Sequence, residues 1–275
     1  MKYSIITSGY NEPALLKKCM KSVLAQSYDN FEHIIINDSP DYDYSSFDNY
    51  QNTLSEPEKL KVKYFVNKKN IGNNASKEFA FTKVSSDSEY IIFLDHDDWL
   101  YPNALEEINK ILAGEDKIKK ETKVIQWLVT NRSVQGKSLT KNNTNKNTIN
   151  YFWDYLILKK FSGDATHTIK TSLAKKAVFS KNIKNGEEWY YFIQLQNNFS
   201  YFDINTTSSL GYLKTGVTAL IKNKYTENTW LIWKEILSFK NIQKLSIFSI
   251  LKIIFYLKIR TLYSMSKAFK KAPSK

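Results

Sequence analysis

The sequence of 275 residues is 42% hydrophobic and 24% charged, enough apolar material for a substantial core, which excludes a chain disordered throughout and fits one α/β domain plus an appendage. Its single cysteine, Cys19, excludes a disulfide framework and points to a reducing compartment, so a cytoplasmic protein is expected. The net charge of +13 calls for an anionic partner but is uneven: residues 231–275 hold ten Lys or Arg against Glu235 alone, a local +9, leaving +4 for the first 230.

Along the chain, the first seven residues lack the longer apolar core and cleavage site of a secretory signal, and residues 3–8 read as a buried strand. Leu15, Leu16, Cys19, Met20 and Val23 recur at helical spacing within 13–26. His33-Ile34-Ile35-Ile36 is the continuous apolar run of a parallel strand covered on both faces, with Asp38 just past its carboxyl end. Residues 39–61 are polar and carry Pro40 and Pro57, so loop with at most one short helix is expected before a third strand at 62–66. A helix over 70–83 opens with Asn70-Ile71-Gly72-Asn73-Asn74, and a fourth apolar strand at 90–94 ends in Asp95-His96-Asp97-Asp98.

Four such strand-then-helix units predict a Rossmann-like, mostly parallel central sheet with helices on both faces. Ligands of such sheets bind outside the carboxyl ends of the strands, where Asp38 and the Asp95 cluster fall. Pro102 near a first turn and Gly114 bracket a helix over 102–112, and 122–130 reads as a strand. Residues 137–150, rich in Asn, Thr and Lys, read as a mobile loop, and 151–158 resumes apolar character. A short helix over 187–196 turns Trp189, Phe192, Ile193 and Leu195 partly inward.

The strongest chemical signal is Ile91-Ile92-Phe93-Leu94-Asp95-His96-Asp97-Asp98-Trp99. Carboxylates crowded at a strand end repel, and a divalent cation with hard oxygen ligands offsets that cost most simply; an acidic turn capping the next helix is the plainer alternative. A second acidic pair stands in Asn185-Gly186-Glu187-Glu188-Trp189-Tyr190-Tyr191-Phe192. It reads either as a general base or as an ordinary acidic first turn favoured by the helix dipole.

Several motifs follow in order: Ser4-Ile5-Ile6-Thr7-Ser8-Gly9-Tyr10-Asn11-Glu12, Ser22-Val23-Leu24-Ala25-Gln26-Ser27-Tyr28, Ile35-Ile36-Asn37-Asp38-Ser39, Asn70-Ile71-Gly72 with Lys77, and Leu94-Asp95-His96-Asp97-Asp98-Trp99-Leu100-Tyr101-Pro102. Over about residues 1–215 the sequence resembles the inverting family 2 glycosyltransferases of the GT-A fold, of the bacterial surface-glycan type. The resemblance implies donor contacts from Ser8, Tyr10, Glu12, Asp38, Lys77, Asp95, His96 and Lys214. Within that set Tyr10 stacks on the nucleobase, Asp38 accepts from the base N–H, Lys77 meets the diphosphate, and Lys214 closes over it.

It also implies Mg²⁺ or Mn²⁺ on Asp97, with Asp95 and Asp98 as further ligands, and Glu188 as base with Glu187 as its competitor. His167 and Trp189 shape the acceptor pocket. Two positions depart from the family pattern: Lys77 replaces an Arg, losing the bidentate fork, and Asn37 replaces a second Asp. The implied reaction transfers a sugar from a nucleotide-sugar, a UDP-sugar being expected, to a glycan or lipid-linked glycan hydroxyl with inversion. Sugar-phosphate nucleotidyl transfer is the alternative, although Ser8-Gly9-Tyr10-Asn11-Glu12 is neither Gly-rich nor basic as its phosphate loop requires.

The expected organisation is a catalytic domain over 1–225, with a nucleotide-sugar half to 112 and an acceptor half from 113, then a basic amphipathic helical tail over 226–275. Residues 245–259 are apolar but interrupted by Lys252 and ended by Lys258-Ile259-Arg260, too short for a clean span of ~20 residues. Peripheral attachment to an anionic membrane on its inner face is expected, a core-packing helix with a solvated basic end being the alternative. A modestly charged body with a basic tail is unlike a uniformly basic nucleic-acid binder. No nucleic-acid partner is expected, which leaves a non-catalytic nucleic-acid or lipid-binding protein as the outside reading.

Overall fold

The computed structural model describes residues 1–114, 124–210, 217–238 and 245–271. Its first half runs β1 (Tyr3–Gly9), α1 (Pro13–Leu24), β2 (Phe31–Asn37), α2 (Ser45–Asn52), α3 (Glu56–Lys61), β3 (Val62–Val66), α4 (Asn73–Phe81), β4 (Tyr90–Phe93), β5 (Asp98–Leu100) and α5 (Ala104–Ala113). The second half runs β6 (Trp127–Val134), β7 (Lys137–Ser138), β8 (Lys141–Asn142), β9 (Thr148–Asn150), a π-helix (Tyr151–Ile157), β10 (Phe161–Ser162), β11 (Ala165–Lys170), α6 (Thr171–Ala174), α7 (Trp189–Phe192) and β12 (Asn198–Ser209). Two long helices follow, α8 (Val217–Leu237) and α9 (Ile247–Lys271).

The main sheet is ordered β3-β2-β1-β4-β11-β6-β12-β5. The parallel arrangement expected from the sequence holds across β3-β2-β1-β4, where helical crossovers return the chain to the same end. Beyond β4 the sheet is mixed. There β11 runs antiparallel to both β4 and β6, and β12 runs parallel to β6 but antiparallel to β5. The excursion from β6 to β11 carries short strands and a single π-helical turn in place of the long crossover that parallel pairing requires.

Apolar alternation covers both faces. Ile6, Ile91, Trp127 and Val129 point into one cluster, and their neighbours Ile5, Ile92 and Leu128 into another with α1 and α5, the period-2 consequence of a pleated strand. The first cluster also takes in Ile232 and Ile236 of α8 and Ile253 and Leu257 of α9. So α8 crosses the expected boundary at 225, and its C-terminal part packs on the body. Among the described residues no helix is long and apolar enough to cross a membrane.

Several elements differ from expectation. Residues 39–61 hold two helices rather than one, because Phe47 is fully buried and Ser55 with Glu58 forms a capping box that starts α3. The helix expected over 70–83 begins at Asn73, since Asn70, Ile71 and Gly72 are tied to Asp38. Gly72 sits at φ +88°, and a side chain there would meet Lys184 at 2.6 Å. The polar stretch 137–150 is strand-bearing: Gln135 and Gly136, both at positive φ, turn β6 into β7, and Ile149 is fully buried.

The strand expected over 122–130 instead spans 127–134, with Thr122 and Lys123 outside the described residues. Its polar end is sustained by partners: Asn131 donates to Asp203 at 2.6 Å, and Ser133 bonds Tyr101 at 2.9 Å. The helix expected over 187–196 shrinks to Trp189–Phe192, because Glu187 lies at φ +57° outside it.

Candidate active site

The parallel register aligns Gly9, Asn37 and Val66, so Tyr10, Asp38 and Asn67 emerge side by side at the carboxyl end of the sheet. Tyr10 is half exposed, with an accessible ring in the turn, Ser8 closes β1, and Glu12 is exposed at the start of α1. Asp38 is buried. Its Oδ1 accepts from Asn67 Nδ2 and the Ile71 N–H, each at 2.8 Å, and its Oδ2 from Asn70 Nδ2 at 3.1 Å and the Gly72 N–H at 2.7 Å. Those four donors fill a carboxylate's acceptor positions. Asp38 therefore braces the 67–72 turn, and a nucleobase contact has to displace one of them.

The acid turn is pinned at both ends. Leu94 N–H donates to Ile6 O, and β5 pairs with β12 through Asp98 and Ser209. Between them one carboxylate oxygen from each of Asp95, Asp97 and Asp98 lies within 4.8 Å of the others. Arg132, in β6, donates to Asp98 at 2.7 Å and to Asp95 at 3.4 Å, while Lys77 lies 3.6 Å from Asp95. Burial would raise the Asp95 carboxyl, but Lys77 and then Arg132 outweigh it and hold it below the usual carboxylate range.

Asp98 behaves oppositely. Burial pushes its carboxyl up to about 8, with Asp95 and Asp97 adding to the rise and Arg132 opposing it. That penalty on the ionised form is what a cation would remove. An all-oxygen set of three clustered carboxylates suits Mg²⁺ or Mn²⁺, and Asp97 makes no ion pair among the described residues. His96 lies half-buried in the same turn.

A cavity of about 390 Å³ opens beside this turn and is lined by Lys77, Asp95, Asp98, Arg132, His167, Glu187, Glu188, Trp189 and Arg260, among others. Lys77, 3% exposed, bridges its two sides by donating to Glu188 at 2.7 Å. The side chain of Glu188 is 42% exposed, whereas that of Glu187 is 4% exposed and pairs with Arg260 at 2.6 Å. Trp189 is largely buried and donates its indole N–H to Glu187. His167 accepts from Trp127 Nε1 at 3.0 Å through Nδ1 and stacks on Phe192 at 4.2 Å. Burial, assisted by Lys77, lowers its pKa to about 3, so the ring is neutral.

Of the residues expected in the site, the structure thus gathers Lys77, Asp95, Asp98, Glu187, Glu188, His167 and Trp189 around one cavity, with Asp97 beside Asp95 and Asp98 in the acid turn. Ser8, Tyr10, Glu12 and Asp38 stand along the neighbouring strand ends. Lys214 lies outside the described residues. Arg132 and Arg260 went unrecognised. A lone Arg inside an otherwise strand-like segment was the available sign for Arg132. The sign for Arg260 was its place seven residues after Ile253 and three after Leu257, on one helix face.

The model of the family described as Glycosyl transferase family 2 matches residues 4–174. A GalNAc(5)-diNAcBac-PP-undecaprenol beta-1,3-glucosyltransferase of Campylobacter jejuni is 28% identical over 209 residues, covering 73% of this chain and 62% of that protein. The minor teichoic acid biosynthesis protein GgaA of Bacillus subtilis is 29% identical over 199 residues, covering 70% and 43%. The chain spans about half the length of these curated relatives. Among solved structures, residues 1–349 of S. aureus TarS in complex with UDP-GlcNAc superimpose with a TM-score of 0.64 at 16% identity, covering 89% of this chain and 69% of that one. That likeness carries the GT-A fold and no more. The family match decides against nucleotidyl transfer, and because it covers more than half of the chain, from β1 through the acid turn to the strand bearing His167, this chain belongs to the family 2 glycosyltransferases.

Proposed function

We propose that this glycosyltransferase moves a sugar from a UDP-sugar to a hydroxyl of a glycan or lipid-linked glycan, with inversion, in the building of a bacterial surface polysaccharide or lipooligosaccharide. One observation carries the reading: a crowded acid turn and an exposed Glu188 line the same cavity, with Lys77 between them. The C. jejuni and B. subtilis relatives and the UDP-GlcNAc complex of the structural neighbour support the donor and pathway.

In this reading Asp97, with Asp95 and Asp98, holds Mg²⁺ or Mn²⁺, which neutralises charge on the departing diphosphate. Tyr10 offers its ring to the base, with Ser8, Glu12, Asp38 and His96 shaping the donor side and Lys214 closing it. Lys77 and Arg132 keep the acid turn in place and add positive charge beside the diphosphate. Glu188 accepts the acceptor's hydroxyl proton while the new oxygen–carbon bond forms and the bond from the anomeric carbon to the diphosphate oxygen breaks. Attack opposite the leaving group inverts the anomeric centre. His167 and Trp189 form the acceptor wall.

The tail suits a peripheral site on the inner face of the cell membrane. Ile247, Phe248, Leu251 and Leu262 of α9 are more than half exposed, and the region from 231 onward carries +9, the pairing of apolar insertion with basic flanks that anionic lipid attracts. The experiment for the function is UDP release from UDP-Glc, UDP-Gal, UDP-GlcNAc and UDP-GalNAc in the presence of lipid-linked glycan extract, with and without Mn²⁺. Metal-dependent release from one of them is expected. No binding and no release with any would overturn the reading.

A further inference from the structure

We propose that Arg260, carried by α9, is a positioning residue: it clamps Glu187 so that the adjacent Glu188 is the acid of the pair left open to a substrate in the cavity, which makes the C-terminal helix part of the catalytic unit. The inference rests on the proposed role of Glu188 as base and adds a residue and an element to that site.

Glu187 and Glu188 are neighbours in sequence with opposite surroundings. Glu187 takes a backbone φ of +57°, a conformation uncommon for a residue with a side chain. It is held there by its carboxylate. Oε2 accepts from Arg260 Nη1 at 2.6 Å and from Trp189 Nε1, and Oε1 accepts from Arg260 Nη2 at 2.8 Å and Asn228 Nδ2 at 3.3 Å. With its acceptor positions filled and almost no exposure, Glu187 has no room for an acceptor's proton. Glu188, one residue on, is bonded through Oε1 to Lys77, its one side-chain partner among the described residues, and its side chain is 42% exposed in the cavity lining.

Arg260 is itself fully engaged. It is 3% exposed, its Nε donates to Thr229 Oγ1 at 3.0 Å, and its guanidinium lies 4.0 Å from the centre of the Tyr225 ring. Ile253 and Leu257, fully buried on the same helix face, fix the register of α9 that delivers it. The bidentate fork carries both orientation and charge. Without it a buried carboxylate stands uncompensated beside the base, and the turn that aims Glu188 loses its anchor.

The test uses the full chain. In Arg260→Met, the affinity for UDP with Mn²⁺, read by calorimetry, is expected to be unchanged, while kcat for UDP release from the panel of UDP-sugars falls about 100-fold, the scale of a misplaced catalytic group. Arg260→Lys, which keeps charge without the fork, falls between, and added guanidinium partly restores Arg260→Ala. Should Arg260→Met fail to fold, Glu187→Gln serves instead, since it keeps shape and removes the charge that the fork holds. The double variant Glu187→Gln/Arg260→Met is expected to lose no more kcat than the worse single variant, as for two groups acting as one.

Normal kcat in Arg260→Met or in Glu187→Gln, or a double loss equal to the product of the single losses, would overturn the clamp. Glu188→Gln, run alongside, separates the two ideas. If it retains turnover, the base reading fails; if it is inactive while Arg260→Met is unaffected, only the clamp fails.

Discussion

The two acid groups of the cavity are balanced in opposite ways. At the end of β4, three carboxylates crowd within 4.8 Å, and two cations, Lys77 and Arg132, are shared among them. Asp98 is pushed toward protonation and Asp97 has no ion pair among the described residues. Before α7, Glu187 is matched by Arg260, while Glu188 shares Lys77 with Asp95. A group short of positive charge invites a divalent ion. An exposed acid held by one shared lysine, beside a neighbour paired by its own arginine, is suited to move a proton. In the proposed reading, the distribution of counter-charge, rather than the number of acids, separates the metal side from the base side, and Lys77 joins them.

The sharpest way to break that contrast is to remove one acid from each group. Asp97→Ala is expected to lower UDP-sugar turnover by about 1,000-fold or more and to abolish stimulation by Mn²⁺, as for loss of a metal ligand. Glu188→Gln is expected to lower transfer by roughly 10²–10⁴-fold while leaving UDP and Mn²⁺ binding intact. Calorimetry with UDP, with and without Mn²⁺, separates the two losses. A Glu188→Gln protein that needs more Mn²⁺ than the natural chain would mean that Lys77, shared by Glu188 and Asp95, couples the two acid groups.

A smaller effect probes the two faces of α9. Phe248→Glu and Leu251→Glu alter exposed positions, so they are expected to reduce sedimentation with phosphatidylglycerol vesicles and to leave turnover on soluble acceptors unchanged. Unaltered sedimentation would remove the membrane face, while the inward face that bears Arg260 would stand.

The smallest effect lies away from both acid groups. His33 is fully buried, bonds Thr7 through Nε2 and leaves Nδ1 without a partner. Burial lowers its pKa from 6.5 to about 3. Above pH 6.5 it is neutral in both folded and unfolded chains and costs nothing. Below that, only the unfolded chain takes up the proton, so His33 by itself lowers stability by about 1.4 kcal/mol per pH unit toward pH 3, and His167, shifted likewise, adds a similar slope. Urea denaturation at pH 7, 6 and 5 measures the slope, and His33→Leu is expected to roughly halve it, His167 supplying the rest.

Much of the first half was legible because its strands are continuous apolar runs and its acids sit directly after them. The His33–Ile36 run, the turn at Tyr10 and the Asp95–Asp98 cluster all lie where the sequence places them. The second half was harder to read. Its strand β6 ends in Asn131, Arg132 and Ser133, polar residues that are stable in a sheet only because Asp203, Asp98 and Tyr101 wait across it. The stretch 137–150 has no periodicity to detect, since each of its strands is three residues or fewer.

By itself the sequence determined the four strands β1 to β4 and their parallel arrangement, the family, and the local placement of each acid, because these depend on hydrophobic period and on residues a few positions apart. Tertiary structure alone decided which cation meets which acid. Lys77 reaches Glu188 across 111 positions, Arg260 reaches Glu187 across 73, and Asp38 is filled by donors more than 28 positions away. Charge pairing acts over a few ångströms of space, and separation along the chain says nothing about which groups folding will bring within that range.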